Sequence, residues 1–393
     1  MVGSGILGLA AVAAGLVSHA TGADAKVYFE ETFDNGMGKW KESQHKLEDG
    51  EYGKWEITSG KFFGNEADAK GLKTGQDAHF YSLYAPMAED FSNEKKTLVI
   101  QFSVKNEQKI DCGGAYVKIL PGSSDMDNFH GESQYNIMFG PDICGRTKRT
   151  HLIFNYQGKN LLKKNDIRTE TDEKTHVYTM VLKPDNTYRV LIDGKEESAG
   201  SLYDEWDFLA PREIDDPTSV KPDDWDDRAM IDDPNDTKPE DWDTIPELVA
   251  DKSAVKPDDW DDEDDGEWEP PQVPNPEFRG EWYPKRIENP SYKGLWKPAQ
   301  IPNPEFKDDP NLYVYPSNKY IGFDLWQVKS GTIFDNILIT DDEKLAEKFA
   351  KDHTLQYAEA EADALKILQR SQRGDDDEDS DDYDYDMGGH DEL

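Results

Sequence analysis

Tyr116 and Lys118 stand two apart in AYVKILP (115–121), and Asp324 and Trp326 stand two apart in IGFDLWQVKSGTIFDNILIT (321–340). On an extended strand alternate side chains share a face, so each pair points one way. Tyr135 and Met138 occupy the run YNIMFG (135–140), with Asp142 just beyond it. Recognition of a sugar ring requires hydroxyl, carboxylate and ammonium groups that converge beside an aromatic or apolar face. The same residues also fit a plainer reading, with Tyr116 and Tyr135 as half-buried strand aromatics and Lys118 with Asp324 as a surface ion pair. Asp335, in TIFDN, can give Ca²⁺ the hard oxygen it needs, or can serve as a turn or cap residue. Cleavage of a glycosidic bond would need two carboxylates facing each other at about 5 to 9.5 Å. No strand shows paired inward acids and Asp324 has no evident partner, so a non-enzyme is expected.

The elements that must position these residues are short apolar-alternating runs between about 26 and 205. They include LVIQFSV (98–104), HLIFNY (151–156), VYTMVL (177–182) and TYRVLID (187–193). Alternation of this kind marks strands, and Pro184-Asp185-Asn186 and Asp193-Gly194 supply turns between the last of them. The regular spacing points to an antiparallel sandwich.

From about 206 to 310 the composition changes. Trp225, Trp242 and Trp260 recur 17 and 18 residues apart, and Gly266, Gly280 and Gly294 open three GxW repeats 14 residues apart. Such periods describe a quasi-linear structure whose units pack on their neighbours. Proline in every repeat excludes long helices and central strands. A long hairpin, with three units running antiparallel to the other three and each Trp against the opposite arm, buries the rings most simply. Its turn falls near 261–266, which puts Glu267 and Trp268 at or near the tip. The strand pattern resumes at 311–340, so one globular domain is interrupted by the arm. Residues 341–373 read as a C-terminal helix, with Leu345, Phe349, Leu355, Ala358, Leu365 and Leu368 at helical spacing. Residues 374–393 form an acidic tail with nine acidic residues between Asp375 and Asp386, expected to be disordered.

Residues 1–25 read as a signal peptide, with an apolar stretch from Ile6 to Val17 followed by small residues. The last four, His390-Asp391-Glu392-Leu393, match a retrieval signal and imply an HDEL receptor as partner. The address is the endoplasmic reticulum lumen, an oxidising compartment in which Cys112 and Cys144 are expected to pair. Closing that loop would stabilise the fold by about 3.5 to 4 kcal/mol in the chain-entropy model. No further run is apolar enough to span a bilayer. Lys and Arg number 44 against 83 Asp and Glu, a formal charge of −39, and a surface of that sign repels phosphate, so no nucleic-acid partner is expected.

Taken in order, GLKTGQDAHFY (71–81), CGGAYVKILP (112–121), YNIMFGPDICG (135–145), HLIFNYQGKN (151–160), both repeat sets and GFDLWQVKSGTIFDN (322–336) resemble the calreticulin and calnexin family. The resemblance implies a mainly β protein: a legume-lectin-like jelly-roll sandwich interrupted by a proline-rich arm and followed by an acidic C-terminal region. It implies a lectin-type chaperone that binds monoglucosylated high-mannose glycans on newly made glycoproteins and unfolded polypeptides, and that stores calcium. Under it, Tyr116, Lys118, Tyr135, Met138, Asp324 and Trp326 match the pocket for the terminal glucose, with Asp142 beside it and the Cys112–Cys144 bridge bracing its rim. Asp335 matches a position that holds a structural Ca²⁺ together with backbone carbonyls. Glu267 and Trp268 match residues that recruit an oxidoreductase of the protein disulfide isomerase family. A monomer is expected. The competing reading is a calcium buffer whose sheet domain has lost sugar binding.

Overall fold

The computed structural model describes residues 25–374 apart from 49, 262, 264 and 265. The expected signal peptide up to residue 24 and the tail from 375 lie outside the described residues. These fall into two units, Pro211–Phe306 and a larger one made of the chain on either side of it.

The larger unit is a jelly-roll sandwich of two antiparallel sheets, with eight strands in each among the described residues. One sheet runs in the order Lys159–Leu162, Thr147–Tyr156, Ile137–Cys144, Cys112–Gly114, Asn318–Gln327, His79–Phe91, Lys41–Glu42, and Val117–Leu120 pairs with both Asn318–Gln327 and Ile137–Cys144. The backing sheet runs Lys195–Ser201, Thr187–Ile192, Thr175–Leu182, Leu98–Asn106, Thr332–Thr340, Gly71–Thr74, Trp55–Thr58, with Val27–Glu31 on Thr332–Thr340. Each sheet therefore takes a central strand from beyond the arm, which joins the two flanking segments in one core.

The period-2 rule decides which residues enter that core. Along Asn318–Gln327 the odd positions Ile321, Phe323 and Leu325 are buried between the sheets, together with Val117 and Ile119, Ile137 and Phe139, and Leu152 and Phe154 from neighbouring strands. Burying each such side chain contributes about 1.5 to 3 kcal/mol. The Asp-Gly turn works as its residue types suggest: Asp193 and Gly194 have φ of 52° and 76°, the pair of positive values a two-residue hairpin needs.

The backing sheet departs from simple alternation. Leu98–Asn106 and Thr332–Thr340 are buried at every position, because helices cover part of their outer face. The expected single C-terminal helix is broken in two: Glu343–His353 and Ala358–Gly374 flank a 3₁₀ turn at Leu355–Tyr357. Thr354 marks the break, and its Oγ1 accepts a hydrogen bond of 3.1 Å from Asn336 Nδ2. Beyond it, Glu361 meets Lys105 at 3.5 Å, and Lys105 also faces Glu107 at 3.6 Å, a buried charge group hidden under the helix.

Trp206 and Phe208, which composition assigns to the arm, sit in the sandwich core, 1% and 6% exposed. Trp206 packs edge-on against Phe154 and Tyr188 and donates its Nε1–H to Leu152 O at 3.3 Å.

The smaller unit is a hairpin of three short antiparallel ladders: Glu213–Asp215 with Gln300–Pro302, Met230–Asp232 with Arg286–Glu288, and Leu248–Ala250 with Gln272–Pro274. Strands do form here despite proline, because each ladder has two strands and both are edges. Trp225, Trp242 and Trp260 donate Nε1–H to Gly294, Gly280 and Gly266 carbonyls at 2.8, 2.8 and 2.9 Å. Those glycines have φ of 86°, 70° and 84°, left-handed values that a side chain would strain. The two repeat periods of the sequence are thus one module, Trp from the outgoing half of the hairpin and Gly from the returning half.

Candidate functional site

The residues on the opposite face of the first sheet are set by the same alternation that fills the core. Gly322, Asp324 and Trp326 take the even positions of Asn318–Gln327, and Phe80, Ser82 and Tyr84 those of His79–Phe91. Lys118 lies between the core residues Val117 and Ile119, and Met138 between Ile137 and Phe139. A second apolar cluster lines this face, with Tyr84, Leu120, Met126, Phe129, Tyr135, Met138 and Ile153.

On that cluster sits a pocket of about 560 Å³ lined by Tyr116, Lys118, Tyr135, Met138, Asp324 and Trp326 among others. Its centre is an ion pair. Lys118 Nζ donates to Asp324 Oδ2 at 2.7 Å and to the carbonyl of Gly131 at 3.4 Å. The two side chains are 4% and 11% exposed, although 206 residues separate them. Gly322, opposite Lys118 in the ladder, makes room: a Cβ there would meet the Phe129 ring at 2.7 Å. The ammonium lies 5.2 Å from the Tyr135 ring centre, a cation–π contact.

Ammonium carries three donors and carboxylate two acceptor oxygens. Among the described residues Lys118 therefore keeps a donor and Asp324 keeps Oδ1, a donor and an acceptor side by side that suit two adjacent hydroxyls. Burial pushes the Tyr135 phenol up to about 12. The Tyr116 phenol is raised as well, first by burial and then by the charges of Asp324 and Asp142. Both stay neutral and able to donate at physiological pH. At one edge Trp326 packs against Phe80 across the ladder with ring centres 4.6 Å apart, and the two are 36% and 41% exposed. An aromatic surface left open beside buried polar groups fits the apolar face of a pyranose.

The sequence expectations meet this geometry unevenly. Tyr116 lines the pocket but not as part of a strand: pairing stops at Gly114 and resumes at Val117. Asp142 shares the face of Met138, four residues on, about 13 Å at strand rise. It is engaged by His151 Nε2 at 3.0 Å and does not line the pocket. Cys112 and Cys144 are opposite one another in the ladder and form a disulfide. Residues that the pattern did not single out also enter. Tyr52, His45 and His130 line the pocket, and His45 stacks on His130 with centres 4.1 Å apart. The two-residue rule applied to HFYSLY (79–84) would have found Phe80; the others come from loops, where no period exists.

Comparison with known proteins fits this arrangement. A family model described as Calreticulin family matches residues 28–265 and 261–339. The chain belongs to the calreticulin family. It is 58% identical over 349 residues to a Chlamydomonas reinhardtii calreticulin, covering 88% of this chain and 82% of that protein. It is 61% identical over 334 residues to a Homo sapiens calreticulin, covering 84% and 79%. Among solved structures, the globular domain of T. cruzi calreticulin superposes with a TM-score of 0.64 at 33% identity, covering 88% of this chain and all of that one. The family is one of lectin-type chaperones.

Two further positions bear on the family. Asp335 is 6% exposed, and its pKa is driven well above the usual carboxylate range by burial, with Asp34, Glu31 and Asp68 adding to the rise against the Asn336 N–H. It makes no ion pair among the described residues, so a cation would relieve it. No group of three or more His, Cys, Asp or Glu among the described residues is arranged to hold a metal. A calcium there would need backbone carbonyls beside the single carboxylate. In the arm, Glu267 is exposed and Trp268 half-buried, like Trp282 and Trp296 of the same run, in the stretch beyond the Leu248–Ala250 ladder.

Proposed function

We propose that the pocket binds the terminal glucose of monoglucosylated high-mannose N-glycans on newly made glycoproteins and unfolded chains. The observation that carries this reading is the buried Lys118–Asp324 pair opening beside Trp326. A buried ion pair is weak evidence for stability, since desolvation offsets much of its attraction. Its half-used donor and acceptor are better explained as a site that meets hydroxyls. Each neutral hydrogen bond contributes about 0.5 to 1.5 kcal/mol net, so binding is weak and exchangeable, as release of a client requires. Glycan-array binding of monoglucosylated oligomannose tests it. The wild type binds and Asp324→Ala does not, while Asp324→Asn, which keeps the shape, separates lost chemistry from lost folding. A folded wild type that ignores the glycan would leave the calcium-buffer reading instead.

The family is a calcium-binding one, and Asp335 with backbone carbonyls would hold a structural Ca²⁺, which would neutralise a buried carboxylate and stabilise the sandwich. The lumen of the endoplasmic reticulum is the proposed site of action, supported by the closed disulfide and by the HDEL sequence. Glu267 and Trp268 form the proposed docking point for a disulfide isomerase-type oxidoreductase. No helix among the described residues is long and apolar enough to cross a membrane.

A further inference from the structure

The three outgoing modules of the arm can be laid over one another turn by turn. Each ladder strand runs into a turn closed by a backbone bond, Ser219 N–H to Asp216 O, Asp236 N–H to Asp233 O and Ala254 N–H to Asp251 O, at 3.0, 3.1 and 3.2 Å. The third turn position holds Thr218, Asn235 and Ser253, all exposed. In the outer two modules the hydroxyl at that position donates to the turn's first carboxylate, Thr218 to Asp216 at 2.7 Å and Ser253 to Asp251 at 2.6 Å. In the middle module only the backbone N–H of Asn235 reaches Asp233, at 2.9 Å. The Asn235 amide makes no hydrogen bond among the described residues, so the exchange gives up a local bond and gains none among them.

Two residues on, the outer modules carry Val220 and Val255, 82% and 84% exposed, and the middle one carries Thr237. Its hydroxyl is also without a partner among the described residues. Asp236, between them, is tied to the returning strand through Lys285 N–H at 2.8 Å. The middle module thus differs from its siblings at both positions that define Asn-x-Thr, and at both the side chain faces solvent. We propose that Asn235 is the acceptor of an N-linked oligosaccharide. A bond forms between Asn235 Nδ2 and C1 of the sugar of a lipid diphosphate-linked oligosaccharide. The C1–O bond breaks, the diphosphate leaves with the electron pair, and one amide proton passes to a base of the transferase. The inference rests on the luminal reading, because the transfer occurs only there.

The full chain is expressed in a eukaryotic secretory system and the peptide spanning Asn235 is analysed by mass, with and without peptide-N-glycosidase, alongside the state of Cys112 and Cys144. A hexosamine-containing mass that the glycosidase removes is expected, with Asn235 converted to Asp. Thr237→Ser keeps the modification, whereas Asn235→Gln and Thr237→Val, the residue of the sibling modules, abolish it. An unmodified Asn235 in a chain whose disulfide is closed overturns this inference and leaves the luminal reading standing. An unmodified Asn235 beside reduced cysteines overturns both.

Discussion

The sandwich and the arm hold themselves together by opposite means. In the sandwich Phe139, Phe154, Phe323 and Phe334 are fully buried, and contacts join residues hundreds of positions apart. In the arm the ladder centres Ile214, Ile231 and Val249 are only half-buried, and Trp260 is 36% exposed. Its order comes from one hydrogen-bonded module used three times, each touching only its neighbours. Loss of an interior side chain should therefore be felt throughout the sandwich, and loss of a bond in the arm only in its own module.

The largest effect is expected from Phe323→Ala. The ring lies between Trp40, Trp55 and Phe334, with centres 5.3, 5.6 and 4.6 Å away. Its removal leaves a cavity lined by Trp55 and Phe334 of the backing sheet and by Trp40, and should cost about 3 to 5 kcal/mol. Urea unfolding followed by sandwich probes would show that loss. Hydrogen exchange of the arm ladders under native conditions should be unchanged, and a matching loss of protection there would mean that the two regions are not energetically distinct.

A smaller, pH-dependent effect belongs to His176. It is 8% exposed, with Nδ1 2.7 Å from Asp193 Oδ2 and Nε2 2.8 Å from Asp172 Oδ1. Burial lowers its pKa, but the bonds and charges of Asp193 and Asp172 outweigh that and leave it raised above 6.5. A raised native value favours the protonated fold. The contribution is fully present below the unfolded value of about 6.5 and is lost as pH rises through the native one. The stability difference between wild type and His176→Asn, measured by urea unfolding from pH 5.5 to 9, should shrink as pH increases. A difference that is flat or grows with pH would contradict the clamp.

The same contrast explains which features are legible in the sequence. Period 2 is a local rule, so spacing alone sets Asp324 and Trp326 on one face of their strand, and it is the pairing of Asn318–Gln327 with Val117–Leu120 that brings Lys118 to the same face. The repeat periods likewise pair outgoing Trp with the returning strand. Contacts made by irregular chain are hidden from such rules. Tyr116 leaves the strand, and Tyr52 and His130 arrive from loops, none of which has a period to read; Asp142 and His151 lie on strands, but their contact depends on which strands are neighbours. The fully buried strand Leu98–Asn106 hides polar Gln101, Ser103 and Lys105 because a later helix covers them, a tertiary event that alternation cannot anticipate. The helix break at Thr354 has the same origin, since its partner Asn336 lies on another element.

The smallest effect gives the sharpest view of the arm. Trp242→Phe keeps an aromatic ring over Arg279, whose guanidinium carbon lies 5.4 Å from the ring centre, but removes the Nε1–H that reaches Gly280 O. Gly280 is exposed, so its carbonyl can turn to water, and the net loss should be about 0.5 to 1.5 kcal/mol. The bond from Asp233 N–H to Lys285 O belongs to the same module, and its amide should exchange roughly 2- to 10-fold faster. The equivalent amides Asp216 and Asp251, bonded to Ala299 and Pro271, should keep their wild-type rates. Acceleration at all three would show that the modules melt together, which would make the arm a cooperative element like the sandwich rather than a row of nearly independent clasps.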